Sequence, residues 1–359
     1  MKIVMIANNF YPCIGGVEKV VFDSSKKLIE KGHKVKVICL NKCANSKEKL
    51  KENENLEGIE IERIPYFDLK YYKFAMGVLS KIKDSDIVHV HGIGFFSDFL
   101  IATKFFHKKK IVVSTHGGIF HTKKIAIMKK IYFNIIQKII LGFADRVIAV
   151  SKNDKLLFEK IMKNVTLVEN GVNTDNFFVG KKKKNTFLYL GRFSKNKQVE
   201  KIIETFALLK SDYELIIAGT DWEKLLENYK SKAEEFNIAN KVKFVINPSS
   251  EETKALYASS EYFVSASRYE GFGIALVEGM ASGCKAIVQK NEGFGNIIND
   301  GINGYFVNYA DPKNAVKKIE KIIVENKQEI SKNAILRAKD FSWKSRINEL
   351  EKVYESVIN

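Results

Sequence analysis

Arg268-Tyr-Glu-Gly-Phe-Gly-Ile-Ala-Leu-Val-Glu278-Gly-Met-Ala-Ser-Gly-Cys284 is the stretch on which the fold turns. Two carboxylates, Glu270 and Glu278, stand eight residues apart, and Gly271 and Gly273 follow the first. Glycines in such a place suit a tight loop where backbone approaches a ligand closely. From Ile274 the run Ile-Ala-Leu-Val-Glu-Gly-Met-Ala reads as a helix packed on most sides. Its first free N–H groups would point over the loop and offer an anion site. Were the stretch helical throughout, the carboxylates would lie roughly 12 Å apart at about 1.5 Å per residue. Paired carboxylates that act on one bond sit about 5–10 Å apart. The spacing suits the two ends of one long ligand, with an anionic middle over the helix start.

Working outward, the second half of the chain repeats one pattern of strand, loop and helix. Phe187–Leu190 reads as a strand leading into Gly191-Arg-Phe-Ser-Lys-Asn-Lys197. Arg192 offers a fixed fork of donors and Lys197 a compact charge, so the pair suits two phosphates. Tyr213–Ala218 reads as a strand ending in Gly219-Thr-Asp221, and Val242–Ile246, Tyr262–Ala266 and Lys285–Gln289 read as further strands. The first half does the same. Strand Lys2–Ala7 runs into a loop carrying Gly15 and Gly16, then a helix from Val17 to about Lys31 and a strand at Lys34–Leu40. That loop is not G-x-G-x-x-G, which argues against a nicotinamide site. Strands Ile59–Pro65, Ile87–His91 and Lys110–Thr115 follow, and His116 sits at the carboxyl end of the last. A helix is expected over Tyr71–Ile82 and another over Phe95–His107. Two such runs, joined near residues 171–186, predict an α/β protein of two doubly wound domains. The boundaries expected are 1–172 and 173–342. The lysine run Lys181–Lys184 reads as an exposed linker.

Taken together these stretches resemble the retaining glycosyltransferases of family GT4. Glu270 to Glu278 resembles their E-x7-E motif, Gly191-Arg192…Lys197 their Gly-Arg…Lys motif, and Thr115-His116-Gly117-Gly118 their Thr-His-Gly context. The Gly15-Gly16 pair resembles their N-terminal glycine loop, and Asn170-Gly-Val-Asn173 their inter-domain junction. The resemblance implies the GT-B fold, two Rossmann-like domains facing a cleft, with a C-terminal helix at 343–359 packing back on the first. It implies a nucleotide-sugar donor, a UDP- or GDP-sugar, and no metal. By it, Glu270 contacts donor sugar hydroxyls and Glu278 the ribose. The amides of Phe272, Gly273 and Ile274 hold sugar and phosphate oxygens. Arg192 and Lys197 grip the diphosphate, His116 contacts the sugar near the reacting carbon, and Gly15 and Gly16 face the phosphates. Where relatives often carry Gly-x-Gly this chain has Gly219 alone, and where they often show Gly-Gly-x-Pro-Glu it has Asn291-Glu-Gly-Phe-Gly-Asn296. Base and acceptor specificity are therefore not legible. An epimerase of the same fold would differ in needing no acceptor.

Composition bounds the alternatives. With 359 residues, 45% hydrophobic and 28% charged, the chain is an ordinary globular sequence long enough for two domains. Its net charge is +17. Such an excess attracts nucleic acid, anionic lipid or phosphorylated ligands alike. Interleaved aromatic and basic residues of a nucleic-acid binder are missing. Between Phe99 and Phe143 there are nine lysines and no Asp or Glu. The stretch Ile125–Phe143 has two readings: a basic helix lying on an anionic membrane, or a helix covering the sheet with its lysines in water. Basic charge on the first domain suggests a lipid-linked or glycan acceptor, or another anionic one, such as a precursor of a surface glycan. No apolar run of about 18 residues predicts a membrane span. Met1–Asn9 reads as a first strand, not a secretion signal, so a cytoplasmic protein, peripheral on the membrane at most, is expected. The four cysteines, Cys13, Cys39, Cys43 and Cys284, show no disulfide spacing and read as free thiols. Asp84-Ser-Asp86 reads as a polar turn before a strand, His33 as a structural residue near a helix end, and His89, His91 and His121 lack zinc-site spacing.

Overall fold

Parallel strands buried on both faces read as near-continuous apolar runs, and this chain has two sets of them. A computed structural model describes every residue except 14, 44, 45, 47, 70, 71 and 118–125, together with the side chain of Ala126. Gly118, His121, Lys123 and Lys124 of the sequence reading lie outside the described residues. The chain divides into two compact units, Met1–Gly171 with Trp343–Asn359, and Val172–Ser342.

The first unit is built on eight strands: β1 (Lys2–Ile6), β2 (Lys34–Leu40), β3 (Asn53–Leu56), β4 (Ile59–Ile64), β5 (Ile87–His91), β6 (Lys110–Ser114), β7 (Arg146–Ala149) and β8 (Val165–Leu167). Their order is β8-β7-β6-β5-β1-β2-β4-β3, and all pair parallel except β3 against β4. β1 lies between β2 and β5, so the chain reverses its winding direction there. The C-terminal helix Trp343–Ile358 belongs to this unit. Trp343, Ile347, Leu350, Tyr354 and Val357 are buried at alternating spacings of four and three, one face of a helix. At its polar margin Glu351 accepts from Lys31 at 2.6 Å and pairs with His33 at 2.8 Å, and Arg346 reaches Glu169 at 2.9 Å.

The second unit contains β9 (Lys183–Leu190), β10 (Glu214–Gly219), β11 (Val242–Ile246), β12 (Ser260–Ser265), β13 (Lys285–Val288) and β14 (Tyr305–Phe306), in the order β11-β10-β9-β12-β13-β14 and all parallel. Alternation along the strands feeds two apolar layers. Phe187, Tyr189, Ile217 and Tyr262 pack on one side with Ile202 and Phe206. Leu188, Ile216 and Phe263 pack on the other with Val277 and Met280. Here β9 is the strand flanked on both sides by later ones, so the winding reverses between β9 and β12.

Four expectations from the sequence are corrected. A hairpin, Phe67–Asp68 with Lys73–Phe74, and a short helix Val78–Lys81 replace the helix expected over Tyr71–Ile82. Tyr72 and Phe74 are drawn edge-on or tilted onto Phe95, and the Tyr72 hydroxyl donates to Asp98 at 3.0 Å, contacts no local period reports. The helix expected over Phe95–His107 breaks at Thr103, whose hydroxyl turns back to the Phe99 carbonyl. Lys181–Lys184 is no free linker: β9 starts at Lys183, and the Lys182 Nζ donates to the Tyr257 carbonyl at 2.9 Å. Cys13 and Cys43 form a disulfide, and only Cys39 and Cys284 are free and buried. The two bonded cysteines lie in loops after β1 and β2, adjacent parallel strands whose loops emerge at one end. Spacing of 30 residues conceals that neighbourhood.

Gly171 has no room for a side chain, because an added Cβ would overlap the indole of the buried Trp343. Gly171→Ala is expected to cost about 1–3 kcal/mol through displacement of that ring, read as a lowered urea midpoint at unchanged slope.

Candidate active site

Loops at the carboxyl ends of parallel strands, where the winding reverses, are where open α/β sheets bind ligands. In the second unit three loops meet at that place. After β9 runs 191–198, after β12 runs 266–273, and after β13 runs 289–296. Hydrogen bonds tie the first two: Asn196 Nδ2 donates to the Tyr269 carbonyl at 2.8 Å, and the Arg268 amide donates to the Asn196 carbonyl at 3.0 Å. Asn291 joins the third by donating to the Ser267 carbonyl at 2.9 Å. Gly293 lies flat on the backbone of Glu270 and Phe272, with its absent Cβ only 2.6 Å from the Glu270 carbonyl.

That framework brings Lys197 against Glu270, Nζ to Oε1 at 2.6 Å, with less than a fifth of either side chain exposed. Arg192 stays exposed and rests over the Trp222 ring at 5.3 Å, and it makes no ion pair among the described residues. The helix expected after Gly273 runs Ile274–Ala281, so the stretch from Glu270 to Glu278 is half loop and half helix. Gly273 takes φ +121°, a region that favours glycine, and a Cβ there would press on Phe294. The amides of Phe272 and Gly273 donate to no protein acceptor among the described residues, and the first-turn amide of Ile274 has no intrahelical partner. Glu278 points inward at 3% exposure and accepts from the Tyr257 hydroxyl at 3.1 Å. Burial and that carboxylate together push the Tyr257 hydroxyl well above its usual range. Gly219 has a structural reason of its own: at φ +148° its backbone closes on Gly191, and a Cβ would collide with the Gly191 carbonyl.

The first unit holds a second group of polar side chains at the carboxyl ends of β5 and β6. His116 adopts φ +47°, uncommon for a residue other than glycine. Asp154, buried in the helix Lys152–Phe158, fixes the turn from both sides. It accepts from Thr115 Oγ1 at 2.6 Å and from the Gly117 amide at 2.9 Å. His116 Nε2 lies 2.9 Å from His91 Nδ1, and His91 Nε2 lies 3.4 Å from Met5 Sδ. Because a thioether sulfur only accepts, His91 is assigned its proton on Nε2, and in that tautomer its Nδ1 accepts from His116. Neutral His116 then keeps Nδ1 as its own acceptor. Tilted against His91, His89 bonds Tyr354 Oη at 2.7 Å and Ser114 Oγ at 2.8 Å. Burial holds the three imidazoles down, His116 to about 4 and His89 to about 3, and His91 well below its ordinary value with added repulsion from its neighbours. At the loop after β1, Gly15 is the extended cap of helix Gly16–Glu30, and the Glu18 side chain folds over it.

The sequence reading missed Asp154, Tyr257, Asn196, Trp222 and the bonded role of His91. Ser151-Lys-Asn-Asp154 does read as a helix N-terminus, and Ser151 caps it by accepting from the Asp154 amide at 3.1 Å. Its grip on Thr115 and Gly117, nearly 40 residues back, has no local signal.

Known proteins share the family and the fold of this chain. Residues 14–176 match the profile of Glycosyltransferase Family 4, and residues 173–340 that of Glycosyl transferases group 1. A GDP-mannose:cellobiosyl-diphosphopolyprenol alpha-mannosyltransferase of Xanthomonas oryzae pv. oryzae is 35% identical over 321 residues, spanning 86% of this chain and 83% of that protein. The chain belongs to glycosyltransferase family 4. A protein of the same description from Komagataeibacter xylinus is 28% identical across 100% of this chain and 94% of its own. Among solved structures, the sucrose-phosphate synthase of Thermosynechococcus elongatus superposes with TM-score 0.84 at 18% identity, covering 99% of this chain and 98% of its own. Anabaena HepE in complex with UDP and glucose superposes with TM-score 0.80 at 17% identity, covering 99% and 100%. This family 4 glycosyltransferase has the GT-B fold.

The three histidines give the family 4 enzyme a measurable pH dependence. Each has a folded pKa below its ordinary value of about 6.5, so the unfolded chain binds protons first as pH falls. Their contribution is whole above about pH 6.5 and declines as pH falls below it toward their folded values. Urea midpoints between pH 7 and 5 should fall with a slope that loses about one proton in His89→Gln; an unchanged slope in that variant would contradict buried neutral imidazoles.

Proposed function

We propose that this enzyme transfers a sugar, with retention of anomeric configuration, from a nucleoside-diphosphate sugar to a hydroxyl of a lipid-linked acceptor. The observation that carries the reading is the Lys197–Glu270 pair at 2.6 Å, set beside open amides at the start of helix Ile274–Ala281. A cation, a carboxylate and oriented N–H groups within one framework suit a donor that is half sugar and half diphosphate. Two relatives named as GDP-mannose-dependent mannosyltransferases acting on cellobiosyl-diphosphopolyprenol favour GDP-mannose as donor and a polyprenyl diphosphate saccharide as acceptor.

The chemistry asks for stabilisation of a departing phosphate. As the sugar–phosphate bond lengthens, positive charge grows on the sugar ring and negative charge on the phosphate oxygen. Arg192, Lys197 and the helix amides would meet such charge without a divalent ion. Phosphate arriving at Lys197 competes with Glu270 for it, which frees the carboxylate to accept from sugar hydroxyls. Neutral His116 with an accepting Nδ1 suits a sugar hydroxyl as well. Retention without an enzyme nucleophile follows a front-face course, in which the leaving phosphate takes the acceptor's proton. Glu278 is assigned the nucleoside ribose, and Phe272, Gly273 and Ile274 amides the phosphate oxygens. The catalytic domains act on the cytoplasmic side of the membrane that holds the acceptor.

To test this, purified enzyme is given GDP-mannose and, separately, UDP-sugars, with a polyprenyl diphosphate disaccharide and a chelator. Transfer that survives the chelator, with an α-linked product by NMR, is expected. Arg192→Ala and Glu270→Gln should each lower kcat/KM by about 10²–10³-fold. Near-wild-type rates in both, or strict dependence on magnesium or manganese, would overturn the assignment.

A further inference from the structure

The helical run from Ala126 to Leu141 is apolar on two opposite sides. It passes through Ala126–Ile131, a wide-turn segment Tyr132–Gln137 and Lys138–Leu141. Its inner side is fully engaged. Phe133 and Leu141 sit in the core of the first unit, and Gln137 donates to the buried Asp98 at 2.6 Å. Its outer side is apolar too: Ile131, Ile135 and Ile139 are 52%, 55% and 60% exposed. Phe143, just beyond, is 66% exposed. Lys104 fastens the neighbouring helix Lys104–His107 to this end, donating to the Phe143 carbonyl at 3.1 Å and pairing with Asp145 at 2.6 Å. On that helix Phe105 and Phe106 are 83% and 81% exposed. Soluble proteins seldom leave so many large apolar side chains together in water, and a face of this kind marks an interaction surface.

Charge chooses the partner. Lys130 and Lys138 on the same helical run, and Lys108 and Lys110 just after Phe106, are exposed, and no acid occurs in the sequence between Phe99 and Phe143. A second copy is a poor occupant, because a two-fold contact would lay this lysine-rich patch against itself. A surface that is apolar in depth and anionic at its rim fits both features, and that is a bilayer rich in acidic lipid. Among the described residues no helix is long and apolar enough to cross a membrane, so the contact is one of lying on it.

We propose that the face formed by Phe105, Phe106, Ile131, Ile135, Ile139 and Phe143 docks on the headgroup region of an anionic membrane, with the surrounding lysines against the phosphates. The proposal stands apart from the donor assignment, since none of its residues is assigned to the donor.

The test is co-sedimentation of the full chain with phosphatidylglycerol–phosphatidylcholine vesicles and with pure phosphatidylcholine vesicles. Binding to the first and not the second, weakened by salt, is expected. Ile131→Ser/Ile139→Ser and Phe105→Ser/Phe106→Ser should each lower the partition coefficient by about tenfold or more, as should Lys130→Glu/Lys138→Glu. Thermal melts and donor hydrolysis without lipid should match wild type in all three, which separates lost docking from lost folding or lost chemistry. In Phe106→Trp the new indole should be quenched by brominated acidic lipid. Equal binding to both vesicle types, unchanged partition in the variants, or a wild-type dimer that Ile131→Ser/Ile139→Ser turns into monomer would each overturn the proposal.

Discussion

A parallel sheet covered on both faces can offer polar groups to a ligand only beyond the ends of its strands. Everything chemical in this enzyme obeys that constraint. In the second unit the layers around Leu188 and Phe187 are closed and apolar. Lys197, Glu270 and the open amides of 272–274 therefore collect in the loops after β9 and β12. In the first unit His91 ends β5 and His116 follows β6, again at the carboxyl ends. The winding reverses at β1 and at β9, which parts the helices there and leaves the loops uncovered.

Loops alone would hold such groups poorly, and the structure shows how they are stiffened. Backbone contacts that only glycine permits do part of it: Gly219 against Gly191, and Gly293 against the carbonyls of Glu270 and Phe272. Side-chain amides do the rest, with Asn196 and Asn291 each reaching a carbonyl of the Glu270 loop. Asp154 serves the first unit similarly, accepting on either side of a residue held at positive φ. A carboxylate that takes two donors in a buried turn stabilises a conformation His116 would not choose by itself. Short-range geometry is thus set by hydrogen bonds that span long stretches of sequence.

That division explains what the sequence disclosed. Strand and helix order was legible because apolar periodicity is local, and the glycine-bearing loops were legible because glycine and paired charges cluster within a few residues. Lys197 and Glu270 were each recognisable, but their pairing across 73 residues was not. The same blindness covers the Cys13–Cys43 disulfide, the hairpin that Phe95 draws in through Tyr72 and Phe74, and the Tyr257 hydroxyl on Glu278. Gly219 shows the converse. Its identity is set by the nearness of Gly191, so its presence says nothing by itself about a bound phosphate.

Residues 126–143 carry the argument furthest. Two readings, a sheet-covering helix and a membrane-facing one, were opposed only while the helix was treated as having one apolar side. Phe133, Gln137 and Leu141, four residues apart, occupy the inner side, and Ile131, Ile135 and Ile139 occupy the outer. Packing against the sheet uses up the first set without touching the second. Sheet coverage thus accounts for Phe133 and Leu141 and, among the described residues, leaves Ile131, Ile135 and Ile139 exposed outside the core. Under the docking proposed above, that second set has a physical use: it would hold the first unit against a membrane surface.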